Sequence, residues 1–257
     1  MRTAVSIVTL AVVTAGAVLA HGVLGGPNVA GAAEAVTTTV VEDVQPATTE
    51  SEPVPGETDV ASTGTASSVE GIAASASQRL AAADRWGMQA IDVAGAWDVA
   101  GTFSPVVVAV LDTGIDPEAG CADRVKASID FTGESNTNDE HGHGTHMTDT
   151  IACIAPNASF VNLKVADKRG RCNSATVAKA VRWAADRGAS IINISLEVTD
   201  SAELKAAVAH AWARGAVVIA AAGNNGSSTP AYPAAYEHSI AVAGTNESDG
   251  VAVLSNH

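Results

Sequence analysis

Residues 106–112 read Val-Val-Val-Ala-Val-Leu-Asp, six consecutive apolar residues that end on a carboxylate. A run that is apolar at every position is typical of a strand in a parallel sheet covered by helices on both faces. Four further strands are predicted from similar runs, at residues 159–165, 190–195, 216–222 and 239–243. Residues 174–187 and 201–214 show helical spacing and end at Gly188 and Gly215. The sequence therefore predicts an α/β fold with a doubly wound, mostly parallel sheet and helices on both faces.

The length, composition and charge of the chain limit its class. With 257 residues, 47% of them hydrophobic, it is long enough and apolar enough to bury a sizeable core. It carries 28 acidic and 14 basic residues, for a formal net charge of −14 at pH 7. This excess of negative charge argues against nucleic acid and against an anionic membrane surface as partners. The expected partners are neutral or cationic molecules.

Residues 1–35 are predicted to be a secretory signal peptide. Arg2 precedes an apolar run at residues 4–20, and two Ala-x-Ala sites for cleavage follow at residues 30–35. A membrane anchor is the alternative, but the run is slightly short for a span and contains Gly16. The sequence therefore favours a secreted, extracellular protein that is not held in a membrane after the signal is removed.

Residues 36–78 are predicted to be an acidic, disordered linker or a short pro-segment. They contain seven acidic residues, no Lys or Arg and little periodic apolar content, so burial cannot offset the conformational entropy of folding. A folded inhibitory pro-domain is the less favoured alternative. The alternation of strand and helix patterns begins after Arg79, which makes residues 79–257 the candidate globular domain.

The chain has three cysteines, Cys121, Cys153 and Cys172, an odd number for a secreted protein. At most one disulfide can form among them, and Cys121 with Cys172 is the favoured pair. Cys153 lies in an apolar helical stretch, where a small buried residue is a better interpretation than a catalytic thiol.

Asp112 lies where reactive groups collect in a parallel sheet, at the carboxyl end of a strand. Gly114 follows two residues later and lets the backbone turn away from the carboxylate. A turn or a helix cap would explain a single Asp at this position equally well. Asp112 alone therefore does not indicate a function.

A histidine-rich segment at residues 139–146 leads into a predicted helix at residues 147–155. Glycines on both sides of His143 leave its imidazole accessible to a carboxylate, which would fix the tautomer and support the imidazolium. His143 is therefore a candidate general base. The alternative is a zinc site built from His141, His143 and His146 with Asp139 and Glu140. Zinc is less favoured because no downstream His or acid is paired with this cluster.

Asn224 lies in the segment Ala-Ala-Ala-Gly-Asn-Asn-Gly at residues 220–226, at the end of a predicted strand. An amide N–H that projects from a sharp turn is suited to bind an oxyanion as it develops on a carbonyl. An Asn in a tight turn is the simpler explanation when the segment is taken singly. That explanation becomes weaker once Asp112 and His143 are expected at the same edge of the sheet.

These motifs together resemble the subtilisin-like serine proteases, or subtilases, and the resemblance covers nearly everything from Trp86 onward. Residues 112–114 (Asp-Thr-Gly) match the Asp box of the family, and residues 143–146 (His-Gly-Thr-His) match its His box. Residues 222–224 (Ala-Gly-Asn) match the oxyanion segment, and residues 192–196 are similar to the strand that lines the substrate pocket. The resemblance implies a subtilisin-like fold and peptide-bond hydrolysis.

By this resemblance Asp112 orients the base His143, and Asn224 stabilises the oxyanion. The implied partner is a protein or peptide substrate, bound by a monomer. No metal is expected at the site and no cofactor is required, although the family leaves calcium open without identifiable ligands here. The implied substrate-binding residues are Ser195, Leu196, Glu197, Ala222 and Gly223.

The nucleophilic serine of the family lies in a Gly-Thr-Ser-Met-Ala-like segment, and no such segment occurs in these 257 residues. Ser195 belongs to the pocket strand and Ser255 precedes the expected position of the box, so neither is a predicted nucleophile. Residues 79–257 are therefore expected to be a partial, C-terminally incomplete catalytic domain. Loss of one triad member costs on the order of 10⁴ to 10⁶ in rate, so this chain alone is predicted to be inactive.

Two interpretations of the missing segment remain open. The chain is either a non-catalytic, peptide-binding pseudoprotease or a fragment whose remainder carries the serine. The coding sequence beyond the codon of His257 would distinguish them, because an in-frame serine box there would indicate a fragment of an active protease.

Overall fold

The computed structural model describes residues 85–100, 106–246 and 248–257. The predicted signal peptide at residues 1–35 and the predicted acidic segment at residues 36–78 lie outside these ranges. Among the described residues, none of the helices has the length and apolar character needed to cross a membrane.

From residue 125 to residue 221, strands and helices alternate along the chain, as the sequence predicts. The strands are β1 (Val106–Asp112), β2 (Val125–Asp130), β3 (Ala158–Lys164), β4 (Ile191–Ile194), β5 (Val217–Ala221) and β6 (Ser239–Val242). The helices are α1 (Arg85–Ala90), α2 (Val93–Ala100), α3 (His143–Ile154), α4 (Ser174–Asp186) and α5 (Ala202–Ala213). The five predicted strands are confirmed, each to within one residue at either end.

All of these strands run parallel in one sheet, in the order β2-β3-β1-β4-β5-β6. The central strand β1 pairs with β3 on one side and with β4 on the other. Val108 and Val110 contribute to the core on one face of the sheet, and Ala109 and Leu111 contribute to the core on the other. Because both faces are covered, every position of β1 except the last is apolar.

The helices confirm the predicted two-sided arrangement. Helices α4 and α5 cover one face of the sheet, and α3 covers the other. The connections β2–α3–β3 and β3–α4–β4 move in the same direction along the sheet, but their helices lie on opposite faces. The two crossovers therefore have opposite hands. About 98% of such crossovers are right-handed, so one of these two is of the rare left-handed kind. Because α3 follows β2 in a parallel sheet, it begins at the carboxyl edge of the sheet, and it lies on the face that α4 and α5 leave free.

Strand β2 was not predicted from the sequence. It lies at the edge of the sheet and bonds to β3 alone, so most of its side chains are only half-buried. Its sequence includes the charged Lys126 and therefore lacks the continuous apolar run of the inner strands. The apolar Ala127 and Ile129, two positions apart, pack against the core and are the weaker alternating signal that an edge strand leaves.

The expected disulfide between Cys121 and Cys172 is wrong, because both cysteines are buried and neither forms a disulfide. Cys121 packs in the core on the α3 side of the sheet, whereas Cys172 packs in the core on the α4 side. The sheet therefore separates the two thiols. Burial raises the pKa of the Cys172 thiol to about 12, so it stays protonated at neutral pH.

Candidate active site

Asp112 is the last residue of β1, and its position brings a carboxylate to the carboxyl edge of the sheet. The residue is fully buried, and its Oδ1 accepts a hydrogen bond of 2.7 Å from the backbone N–H of Thr113. A buried carboxylate needs such partners because desolvation is otherwise costly. The second partner is His143, whose Nδ1 lies 2.8 Å from Oδ1 and 3.0 Å from Oδ2.

His143 is the first residue of α3, and its side chain is 15% exposed. Because Nδ1 faces the Asp112 carboxylate, it carries the proton of the neutral ring and leaves a lone pair on Nε2. Nε2 is buried, and no described group bonds to it. Burial alone would lower the pKa of His143, but the Asp112 carboxylate and the charge of Asp139 outweigh it and raise the pKa above the ordinary 6.5. The ring is therefore arranged to accept a proton at Nε2.

Asn224 lies in the loop after β5, two strands away from β1. Neighbouring strands lie about 4.8 Å apart, so the ends of β1 and β5 are separated by about 10 Å. Gly223 turns this loop with φ of +101°, and within the described part of the chain the side-chain Nδ2 of Asn224 is a buried donor without a partner. A buried donor left unpaired is costly in the free protein and available to an anionic oxygen.

The loop that carries Asn224 is held by Asn256, a residue that sequence reasoning missed. The side-chain Oδ1 of Asn256 accepts hydrogen bonds from the backbone N–H groups of Asn225 at 3.1 Å and Ser227 at 3.2 Å. Its own N–H donates to the carbonyl of Gly223 at 2.9 Å. No local pattern reveals this role, because Asn256 and Asn225 are 31 positions apart in the sequence.

The predicted substrate-binding segment at residues 195–197 follows β4 and lies between the ends of β1 and β5. The side chains of Ser195 and Leu196 are buried, and Leu196 belongs to the core under α4 and α5. Glu197 is exposed. A ligand at this segment would therefore meet the Glu197 side chain, whereas Ser195 and Leu196 could offer only backbone groups.

The other predicted substrate-binding residues, Ala222 and Gly223, belong to the turn after β5. Ala222 is half-buried and donates its N–H to the carbonyl of Val242 at 2.8 Å. Gly223 is buried, and a Cβ atom there would collide with the side-chain amide of Asn256. Both residues therefore shape the turn that carries Asn224.

The hydroxyls of Ser195 and Ser255 are both engaged away from His143. Ser195 Oγ accepts a hydrogen bond of 3.0 Å from Asn193 Nδ2. Ser255 Oγ accepts one of 2.6 Å from the Gly244 N–H and donates one of 3.0 Å to the Asn256 carbonyl. These contacts are consistent with the expectation that neither residue is a nucleophile.

The zinc alternative finds no support in the described residues. His143 directs Nδ1 to Asp112, and Asp139 accepts hydrogen bonds from its own loop. No group of three or more His, Cys, Asp or Glu side chains in the described ranges is arranged to hold a metal ion.

The chain is similar to known proteins both in sequence and in structure. The model of the subtilase family matches residues 104–257. Thermitase from Thermoactinomyces vulgaris is 36% identical over 186 residues, which cover 67% of this chain and 66% of that protein. Subtilisin BL from Lederbergia lenta is 37% identical over 182 residues, which cover 67% of each chain. The crystal structure of a cold adapted subtilisin-like serine proteinase superposes with a TM-score of 0.55 at 30% identity and covers 59% of each chain.

The family match extends over more than half of the chain, and the protein belongs to the subtilase family. The chain spans about two thirds of the length of these two relatives. It spans about half of the length of other relatives, for example 48% of the alkaline protease of Alkalihalobacillus alcalophilus. The predicted family and the predicted subtilisin-like α/β fold are thus confirmed.

Proposed function

We propose that this chain contributes the general base and the oxyanion donor of a serine endopeptidase that hydrolyses peptide bonds. His143 Nε2 takes the proton of a serine hydroxyl as that hydroxyl attacks the scissile carbonyl, and later returns it to the leaving amine. Asp112 holds the ring and stabilises the imidazolium. Asn224 Nδ2 donates a hydrogen bond to the oxyanion.

One observation carries this proposal: His143 points Nδ1 at a fully buried carboxylate and keeps Nε2 without a partner among the described groups. A structural histidine would be expected to satisfy both ring nitrogens when buried. The side-chain Nδ2 of Asn224 at the same edge of the sheet is a further donor, and no group among the described residues accepts from it.

The proposal also concerns this chain by itself. Among its described residues, the chain supplies no hydroxyl to His143 Nε2, and its sequence does not contain the serine box of the family. We therefore expect the 257-residue chain alone to lack measurable peptidase activity. A protein or peptide substrate, secretion directed by residues 1–35 and a monomeric state belong to the same proposal.

The test compares the chain alone with the chain fused to a segment that carries the serine box of a relative such as Thermitase. The fusion is expected to cleave a chromogenic peptide and to react with a serine-directed phosphonate, whereas the chain alone should do neither. In the fusion, His143→Ala should lower kcat/KM by on the order of 10⁴ to 10⁶. Cleavage that survives His143→Ala, or phosphonate-sensitive cleavage by the chain alone, would contradict the proposal.

A further inference from the structure

The carboxylate of Asp139 collects five hydrogen bonds just before α3. Its Oδ1 accepts from the backbone N–H groups of His141 at 3.0 Å and Gly142 at 2.8 Å, and from the hydroxyl of Thr113 at 2.8 Å. Its Oδ2 accepts from the N–H of Thr145 at 2.8 Å and from the hydroxyl of the same residue at 2.7 Å. These donors hold the pKa of Asp139 below its ordinary 3.8, although burial opposes them.

Asp139 performs the capping that the helix cannot provide for itself. The N-cap of α3 is Gly142, which adopts φ of +95° and has no side chain to accept a hydrogen bond from the first turn. The N–H of Thr145, which would ordinarily bond an N-cap side chain, donates to Asp139 instead. The negative charge also lies at the positive end of the helix dipole.

Thr113 connects this cap to the end of β1. Its hydroxyl donates to Asp139 and accepts a hydrogen bond of 2.9 Å from the backbone N–H of Gly144. Thr113 directly follows Asp112, and Gly144 directly follows His143. The network therefore joins the two chain segments that carry the Asp112–His143 pair, one residue away from each partner.

We propose that Asp139 is a positioning residue, which holds the first turn of α3 on the end of β1 so that His143 Nδ1 stays on the Asp112 carboxylate. The inference rests on the proposed function, since it assigns Asp139 a part in setting that base. It replaces the metal-ligand alternative that the sequence left open for Asp139.

The loop before α3 carries two further ionisable side chains, His141 and Glu140. The ring of His141 meets the His143 ring edge-on, with centroids 6.3 Å apart. Glu140 faces Lys164, with Oε2 3.7 Å from Nζ, and also accepts from Asn136 Nδ2 at 3.3 Å. Asp112 and Asp139 are thus the two carboxylates whose charges raise the pKa of His143. Glu140 is the matched control, because it is adjacent in sequence and acidic but lies outside the network.

The experiment follows the imidazole of His143 by NMR in the full chain labelled at histidine. Long-range ¹H–¹⁵N spectra report which ring nitrogen carries the proton, and His143→Gln assigns the signal. In Asp139→Asn we expect the Nδ1 proton resonance to weaken and the pKa of His143 to fall, because the cap loses an acceptor and the ring loses a nearby charge. Glu140→Gln should leave both as in the wild type.

Two variants of Thr113 test the same network while the Asp139 carboxylate is kept. Thr113→Val removes the bridging hydroxyl and should weaken the Nδ1 proton resonance, whereas Thr113→Ser keeps the hydroxyl and should restore it. This pair decides the matter if Asp139→Asn does not fold. A general loss of stability in a folded variant would not move the tautomer or the titration of one ring.

A folded Asp139→Asn protein with the wild-type His143 resonance and titration would overturn the inference, as would a wild-type resonance in Thr113→Val. Asp112→Asn separates this failure from failure of the proposed function. If Asp112→Asn shifts the His143 titration while Asp139→Asn does not, only the role of Asp139 is wrong. If neither does, the Asp112–His143 pair itself is wrong.

Discussion

Two loops at the carboxyl edge of the sheet carry the proposed active-site groups, and they are held in different ways. The loop before α3 is fixed by Asp139, four residues before His143, through hydrogen bonds within one short segment and to Thr113. The loop after β5 is fixed by Asn256, which bonds to Asn225 across 31 positions of sequence. The first loop is thus largely self-contained, whereas the second depends on a distant part of the chain.

The two loops also differ in the buried polar atoms that have no partner among the described residues. Around His143, the only buried side-chain atom without a described partner is Nε2, whereas around Asn224 there are two, Asn224 Nδ2 and Asn256 Nδ2. Nε2 is the atom proposed to take the proton of the serine hydroxyl, and Asn224 Nδ2 is the donor proposed for the oxyanion of the substrate. We therefore expect substitutions in the loop before α3 to cost more stability than substitutions in the loop after β5, and four measurements test this expectation.

The largest effect is expected from Gly144→Ala in the first turn of α3. Helix propensity alone predicts a gain of about 1 kcal/mol for this change. A Cβ atom at Gly144, however, would collide with the Gly114 carbonyl and lie 3.1 Å from the Asp112 Cβ. We therefore expect a loss of about 3 kcal/mol in the free energy of unfolding, measured with urea, together with loss of the His143–Asp112 contact. A stabilised variant would contradict the close approach of α3 and β1.

Gly223→Ala tests the second loop, with Gly188→Ala as a matched control. Both glycines have positive φ, +101° and +78°, so both substitutions strain the backbone. The Cβ at Gly223 would also collide with the side chain of Asn256, whereas nothing lies within 4 Å of a Cβ at Gly188. We expect losses in the free energy of unfolding of about 2–3 kcal/mol at Gly223 and about 1 kcal/mol at Gly188. Equal losses would show that Asn256 does not pack on this loop.

Asn256→Ala removes the acceptor that two backbone N–H groups of the second loop share. We expect it to lower the free energy of unfolding by about 1–2 kcal/mol and to broaden the NMR signals of Asn224. Asn246→Ala is the control, because Asn246 Oδ1 also accepts from two backbone N–H groups, those of Ser248 and Gly250, but in an exposed turn. Equal costs for the two variants would mean that Asn256 contributes no more than a surface turn.

The smallest effect is the pH dependence of stability. The folded-state pKa of His143 is raised, so its stabilising contribution is complete below the unfolded value near 6.5 and is lost as the pH rises through the folded value. Asp139 has the opposite sign: its contribution is complete above 3.8 and is lost as the pH falls through its lowered folded value. Urea unfolding of wild type and Asp112→Asn across both windows should show the upper dependence reduced in the variant. Identical curves above pH 6.5 would contradict the pairing.

Sequence reasoning succeeded where a local pattern carries the information. The continuous apolar run of β1 predicted a two-sided sheet, and residues 112–114 and 143–146 predicted the carboxylate and the imidazole that lie 2.8 Å apart at its edge. It failed where the position of a residue in the sheet determines its burial and its neighbours. Strand β2 is less apolar because it lies at an edge, and Cys121 and Cys172 are kept apart by the sheet between them.

The supporting residues of the site show the same division. Asp139 was recognisable as a functional candidate because it stands beside the histidines, but its use as a cap depends on the φ of Gly142. Asn256 gave no signal at all, because its partners are distant in sequence and are backbone groups rather than side chains.

The proposed chemistry depends on a base that is oriented and charge-stabilised by Asp112, and the decisive measurement is the titration of His143 in wild type and in Asp112→Asn. We expect the wild-type ring to be protonated on Nδ1 when neutral and to titrate above pH 6.5, and we expect the pKa of His143 to fall in Asp112→Asn. A folded Asp112→Asn protein in which His143 keeps its tautomer and its pKa would contradict this expectation.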